Sequence, residues 1–183
     1  MTNTPKTKFY LLSSWILFSR SFDAYCTNLH TPDLSKEANP LVSYLGLSWS
    51  PLLLILGLLM LFVIYGLYLS VFKPISLDPD EKGLTFMEYC TFRYLGKKAS
   101  WSALLFQFPT SPARFSRVMG ALLAPCLAFA GVVSTIMWLM IFNMEWYRAI
   151  HQAALVYGIL AIGCVLLAYF QYKKNYQQYV VKA

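Results

Sequence analysis

The chain contains few charged residues. Only 13% of its 183 residues are Asp, Glu, Lys or Arg, and Asp and Glu together number 8. A typical soluble domain carries about twice that charged fraction. Hydrophobic residues, by contrast, make up 58% of the chain. The shortage of polar surface excludes an ordinary soluble domain and predicts that much of the surface faces lipid.

Histidine and cysteine are also scarce, with 2 and 4 copies. The cysteines form no CxxC pair, and neither histidine belongs to an HExxH sequence. These spacings exclude the common zinc motifs and a disulfide framework, and the sequence specifies no cofactor. We expect the thiols to be buried in or beside the membrane. They are Cys26, Cys90, Cys126 and Cys164.

Four apolar stretches predict an all-α integral membrane protein, a single transmembrane domain over residues 1–183. The stretch Pro51–Phe72 carries no charge. At about 1.5 Å per residue it is long enough to cross a hydrocarbon core of about 30 Å. The other spans are predicted at about 9–30, 118–142 and 149–170. A short polar corner joins the last two, which predicts that they are antiparallel neighbours.

The first predicted span is the least apolar, because it contains Arg20, Asp23, Thr27 and Asn28. On a helical wheel the large apolar side chains form one stripe and the polar side chains another. This pattern predicts one face toward lipid or apolar helices and one face toward a polar interior. A cleavable signal peptide is the alternative, since two lysines precede the apolar run.

The basic residues predict the orientation. Two precede the first span, seven lie between the second and third, and three follow the fourth, whereas only Lys36 and Arg148 lie on the opposite side. The positive-inside rule therefore predicts that both termini are cytoplasmic, in a multi-pass protein of the bacterial inner membrane. Because the positive charge flanks the spans, no nucleic-acid partner is predicted.

The segment 73–117, between the second and third spans, is predicted to lie along the cytoplasmic membrane surface. Leu84–Leu95 has the pattern of an amphipathic interfacial helix, and the following Gly96 is a typical helix stop. The run Trp101–Phe108 is too short to cross and predicts a second interfacial or a re-entrant piece. Anionic lipids or an acidic partner surface are predicted to contact Arg93, Lys97 and Lys98.

Small residues in the third and fourth spans predict close helix contacts, either within one chain or in a homo-oligomer. They are Gly120, Ala124, Ala128 and Gly131 in the third span and Ala154, Gly158 and Ala161 in the fourth. Pro125 lies among them and is expected to bend its helix or to leave a backbone carbonyl without its usual donor.

Arg20 and Asp23 are the residues that most need an explanation, since charges within a span are costly. Their i,i+3 spacing allows an ion pair, which serves either packing or a functional site. Further candidates are expected on the external side: His30, Glu37, Asn39, Glu145 and His151. A divalent metal site or an acid–base site is one interpretation of Asp23, His30, Glu37 and His151. Solvated loop residues are the other.

The sequence Glu37-Ala38-Asn39-Pro40 is the most specific motif. Pro40 favours an extended Asn39 and is suited to open a helix that the Asn39 side chain caps. An Asp in the first helix followed by this Glu-x-Asn-Pro turn resembles uncharacterised families of small bacterial polytopic membrane proteins. The resemblance covers Asp23–Leu41 and implies a helix-opening turn, without an established activity.

Three functions fit these patterns. The favoured one is a non-enzymatic membrane subunit or scaffold that assembles with itself or with a larger inner-membrane complex, because no complete catalytic set is present. The second is a small transporter or ion-conducting protein that uses the polar face of Arg20 and Asp23. The third is a membrane enzyme, with or without a metal, whose carboxylates and imidazoles face outward.

Overall fold

A computed structural model describes residues 4–35 and 39–182 of the chain. Within these residues every regular element is an α-helix. The helices are α1 (Pro5–His30), α2 (Pro40–Ser43), α3 (Trp49–Phe72), α4 (Phe86–Leu95), α5 (Ala103–Phe106), α6 (Pro112–Asn143), α7 (Glu145–Ile150) and α8 (Ala153–Lys182).

Three of these helices, α3, α6 and α8, are long and apolar enough to cross a membrane. The prediction of an all-helical membrane protein is confirmed at this level. Helix α1 has 26 residues, which is sufficient length, but it is less apolar and is not among the three. It is one continuous helix whose Ile16 is fully buried in the bundle.

The long helices α6 and α8 differ from the predicted spans at three ends. The last long helix begins at Ala153 instead of residue 149, because the extended backbone of His151 separates it from the short helix α7. It also continues about three turns beyond Phe170, to Lys182. Helix α6 begins at Pro112 instead of residue 118, since the Ser111 side chain accepts a hydrogen bond from the backbone N–H of Arg114 and caps it.

Helix α6 is the centre of the bundle and contacts α3, α1 and α8. The main apolar core is formed where α1, α3 and α6 meet and includes the buried side chains of Ile16, Val63 and Ala124. Near the end of α1, a second cluster joins Cys26 to Trp138 and Ile141 of α6. All four cysteines are free, and Cys26 and Cys126 are buried, as expected.

Glycine allows α3 and α6 to approach closely. A Cβ atom on Gly120 would lie 2.1 Å from the carbonyl carbon of Gly66, so neither position has room for a side chain. Gly120, Ala124 and Gly131 are buried, which confirms internal packing for the third predicted span.

The small residues of α8 behave differently from those of α6. Ala154, Gly158 and Ala161 are exposed, and a Cβ on Gly158 would meet no atom within 4 Å. Internal packing was therefore the wrong interpretation for these three residues. Helix α8 instead uses Gly163, where an added Cβ would lie 2.2 Å from the ring of Phe129 on α6.

Pro125 frees a carbonyl, and the structure identifies its partner. Because proline has no N–H, the carbonyl of Ala121, four residues earlier, lacks its helical donor. The side chain of Gln171 on α8 supplies one, with 3.0 Å between its Nε2 and the Ala121 oxygen. The missing backbone bond thus becomes a specific contact between α6 and α8.

The predicted amphipathic helix is present as α4, but part of its apolar stripe packs on protein. Thr85 and Glu88 form a capping box at its start, and Gly96 ends it with a φ of 84°. Tyr89 is fully buried and lies against the tyrosine rings of the α8 extension, with Tyr179 5.1 Å away between ring centroids. The Tyr179 hydroxyl also accepts a hydrogen bond from the Leu84 N–H at 3.2 Å.

Candidate functional site

The Arg20–Asp23 ion pair lies between α1 and α6. One turn of helix separates the two residues, and Nη1 of Arg20 donates to Oδ2 of Asp23 at 3.3 Å. Their side chains are 26% and 29% exposed. The predicted pair is therefore present, on the side of α1 that faces the bundle.

Two residues of α6 complete this polar cluster. Arg20 Nη2 donates to the Ser134 hydroxyl at 2.7 Å, and the Trp138 indole N–H donates to Asp23 Oδ1 at 2.8 Å. Hydrogen bonds to ionised groups are stronger than those between neutral groups. Each charge thus has one ionic partner and one neutral partner, which offsets part of the cost of removing it from water.

A cavity of about 500 Å³ adjoins this cluster between α1, α6 and α8. It extends from Arg20 to the C-terminal end of α1 at His30, ten residues along the helix or about 15 Å. Its polar and aromatic lining residues are Arg20, Asp23, Thr27, His30, Thr31, Asn39, Ser134, Trp138, His151 and Tyr157.

Both histidines of the chain line the cavity near the ends of α1 and α7. The ring of His30 packs edge-on against Trp138, with 5.7 Å between the centroids. Nδ1 of His151 lies 3.3 Å from the Tyr147 hydroxyl. Burial, and secondly the positive charge of a protonated His30, lower the pKa of His151 below its ordinary value of 6.5. The neutral imidazole of His151 is therefore the favoured form at neutral pH.

The structure brings together most of the predicted polar residues, but not all. Arg20, Asp23, Thr27, His30, Asn39 and His151 line the one cavity. Asn28 is exposed and does not line it. Glu145 is also outside the cavity, with a side chain that is 93% exposed and 3.7 Å from Arg148.

Glu37, one of the four residues of the predicted metal site, lies outside the described residues. Among the residues that the structure does describe, no three His, Cys, Asp or Glu side chains are grouped so as to hold a metal ion. Asp23, His30 and His151 therefore share a cavity without forming a metal-binding group of their own.

Sequence reasoning did not include Ser134 and Trp138 in the site. They are four residues apart and so lie on one face of α6. The sequence does contain a signal for these two residues, namely a serine and a tryptophan with this spacing in an apolar span. Without the register of α6 against α1, however, nothing in the sequence connects them to Arg20 and Asp23.

The Asn39-Pro40 turn has the predicted local structure. Asn39 caps α2 by accepting a hydrogen bond from the Leu41 N–H at 3.0 Å, and Pro40 is the first residue of that helix. Since Asn39 also lines the cavity, the turn holds one wall of the site in place.

The basic residues predicted to contact lipid have different surroundings. Arg93 bonds to the carboxylate of Asp78 and to the Tyr89 hydroxyl. Lys98 pairs with Glu81 at 2.6 Å. Lys97 is exposed and makes no ion pair within the described part of the chain.

Comparison with known proteins gives no relative. No protein family, curated protein or solved structure matches the chain. The resemblance carried by Asp23 and the Glu-x-Asn-Pro turn therefore stays a prediction.

The lining of the cavity places charged and polar groups beside apolar ones. Its lining combines the cationic and indole N–H groups of Arg20 and Trp138 with the carboxylate of Asp23, so donors and an acceptor lie side by side. Apolar side chains such as Met137 and Ile141 form the remaining wall.

Proposed function

We propose that this chain is a non-enzymatic integral membrane subunit that binds a small polar solute between α1, α6 and α8. The observation that carries the proposal is the convergence of six predicted polar residues on one cavity of about 500 Å³. A charged pair held within a helical bundle is costly, and such pairs commonly mark a substrate or ion site.

We further propose that α1 is a fourth transmembrane helix, so that both termini are cytoplasmic and the cavity opens toward the external side. Two features support this topology. Helix α1 packs along α6, and its two charges are compensated by α6 side chains. The excess of basic residues on the side of both termini supports the orientation, in keeping with the inner membrane of a bacterium.

The binding proposal is tested by native mass spectrometry of the chain purified gently from its own membrane. We expect a small molecule to remain bound to the native chain and to be lost from Asp23→Asn. Glu145→Gln is the matched control, because Glu145 does not line the cavity. The cavity would be excluded as the site if Asp23→Asn retained the same molecule. It would also be excluded if the native chain held no molecule and was not stabilised against heat by any of a panel of amino acids, sugars and carboxylates.

A transporter is the second candidate, and the depth of the cavity favours it. Arg20 lies about 15 Å from His30 along α1, which is about half of a hydrocarbon core. A site that reaches the middle of the membrane is the usual arrangement in transporters. Flux of the bound molecule into vesicles that contain the purified chain would favour the transporter. Binding without flux would favour the membrane subunit.

Assembly with other membrane chains is supported by the outer face of α8. This helix contacts α6 on one side, and its exposed small residues Ala154, Gly158 and Ala161 leave room for another helix. Disulfide cross-linking of Gly158→Cys in membranes tests for a second copy. Failure to cross-link, together with a monomeric mass and no partner after native extraction, would count against the subunit proposal.

A further inference from the structure

The segment between α4 and α6 exposes large apolar side chains. Trp101, Leu105, Phe106 and Phe108 are 61%, 68%, 82% and 82% exposed. We name these four residues the α5 surface. Exposed contiguous apolar side chains of this size mark a contact with protein or membrane.

The α5 surface is held firmly on the bundle. Within helix α5, Ala103 is buried. On either side of the segment, the Thr110 N–H donates to the Leu95 carbonyl at 3.0 Å, and Nη1 of Arg114 donates to the carbonyl oxygens of Phe92 and Arg93. The exposed rings are thus presented from an anchored platform and not from a free loop.

A chain of aromatic contacts connects this surface to the side of the membrane-crossing helices. The ring of Phe108 lies 6.4 Å from that of Phe115 in the first turns of α6. Phe115 in turn lies 5.9 Å from Phe62 of α3, ten residues before the end of that helix. Because α3 and α6 are apolar enough to cross the membrane, Phe108 is next to their lipid-facing side.

Basic residues accompany the apolar ones. Lys97 and Lys98 are exposed and precede Trp101 by four and three residues. Lys97 has no ion pair within the described chain, and the pair between Lys98 and Glu81 is between exposed side chains, which makes it weak. An apolar patch with adjacent lysines fits the boundary between acyl chains and anionic headgroups.

We propose that the α5 surface inserts into the leaflet in which α3 ends and α6 begins, with Lys97 and Lys98 on anionic headgroups. Of the two segments predicted to lie at the interface, this proposal places the lipid contact on Trp101–Phe108, because Leu84 and Tyr89 of the α4 segment are buried against α8. The proposal requires that α3 and α6 cross the membrane, and it is independent of the polar cavity and of which leaflet is cytoplasmic.

The test measures where Trp101 lies relative to lipid. The chain is reconstituted into nanodiscs of phosphatidylcholine, with or without phosphatidylglycerol, that contain lipids with a nitroxide on a shallow acyl carbon. The contribution of Trp101 is the tryptophan emission of the native chain minus that of Trp101→Phe. We expect the nitroxide to quench this contribution about twofold or more, since tryptophan at the interface lies at that depth.

Two sets of variants separate insertion from charge. Leu105→Ser with Phe106→Ser is expected to remove most of the quenching. Met87→Ser is the matched control, an exposed apolar residue on α4, and is expected to leave quenching unchanged. Lys97→Gln with Lys98→Gln is expected to abolish the difference between anionic and neutral nanodiscs.

If Trp101 emission is quenched by aqueous iodide and not by the nitroxide lipids, insertion into the membrane is overturned. The α5 surface would then be a contact for a protein partner. Quenching that is equal in neutral and anionic nanodiscs would overturn the role of the two lysines. Circular dichroism of each variant verifies that the helices are retained.

Discussion

Among individual side chains, Arg20 and Asp23 decide the character of the site. Each is bonded to the other and to one residue of α6, so removing either leaves a charge that is only partly compensated. The cost of such an orphaned charge is several times that of a surface pair. We therefore expect the two residues to be coupled energetically.

Asp23→Asn and Arg20→Gln are each expected to lower the free energy of unfolding by about 2 kcal/mol. The loss in the double variant is expected to be smaller than the sum of the two single losses, by at least about 1 kcal/mol. The reason is that neither charge is then left unpaired. Unfolding in mixed micelles measures all four free energies. Glu145→Gln, which breaks the exposed pair with Arg148, is expected to change stability by less than about 0.5 kcal/mol. Strictly additive single variants would contradict the coupling.

His151 gives a prediction in the pH dependence of stability. Its pKa is lowered in the folded chain, so above its ordinary value of 6.5 the histidine imposes no penalty. As the pH falls below 6.5, the unfolded chain takes up the proton first and stability is lost. His151→Gln is therefore expected to lose less thermal stability than the native chain between about pH 7.5 and about pH 5. Parallel curves for the two proteins would show that His151 is not responsible.

Between helices, two glycine positions with opposite surroundings test how the bundle is packed. Gly120 lies against the backbone of α3, whereas Gly158 on α8 faces open space. Gly120→Ala is expected to lower the melting temperature sharply, since α3 and α6 must move apart and lose their contacts. Gly158→Ala is the matched control and is expected to be neutral or slightly stabilising in detergent, because alanine favours helix. A similar effect of both substitutions would contradict the close approach of α3 and α6.

The bond between Gln171 and Ala121 couples α8 to α6, and Pro125 provides its control. Gln171→Leu is expected to cost about 1–2 kcal/mol, because it leaves the partly buried Ala121 carbonyl without a donor. In the Pro125→Ala chain the same change is expected to cost much less, since residue 125 then has an N–H for that carbonyl. The free energies of unfolding of the four chains give the coupling. An equal cost in both backgrounds would mean that the proline does not create the need for Gln171.

For the chain taken as a whole, the sidedness of the N-terminus decides whether α1 crosses the membrane. With four spans, N-terminal and C-terminal tags are expected to be protected in spheroplasts and cleaved only after permeabilisation. With three, the N-terminal tag alone would be cleaved from outside. A tag inserted in the 73–117 segment, which the positive-inside rule predicts to be cytoplasmic in either case, is the control. The basic residues on the flanks predict the four-span result.

The sequence by itself determined the class of the protein and several of its elements. The uncharged length of α3, the helix stop at Gly96 and the Asn39-Pro40 cap were predicted correctly, because each depends on residues close together in the chain. For the same reason the sequence predicted that Pro125 either bends its helix or frees a carbonyl, and the Ala121 carbonyl is indeed bonded by Gln171.

Only the tertiary structure decided which distant residues meet. Ser134 and Trp138 bond to the Arg20–Asp23 pair, and Gln171 bonds to the carbonyl of Ala121. Leu84 and Tyr89 pack against the extension of α8. The small residues of α6 and α8 have similar spacing in the sequence, yet Gly120, Ala124 and Gly131 of α6 are buried and the three of α8 are exposed. The physical reason is that spacing along a helix defines a face, whereas the neighbour of that face depends on how the helices are arranged around one another.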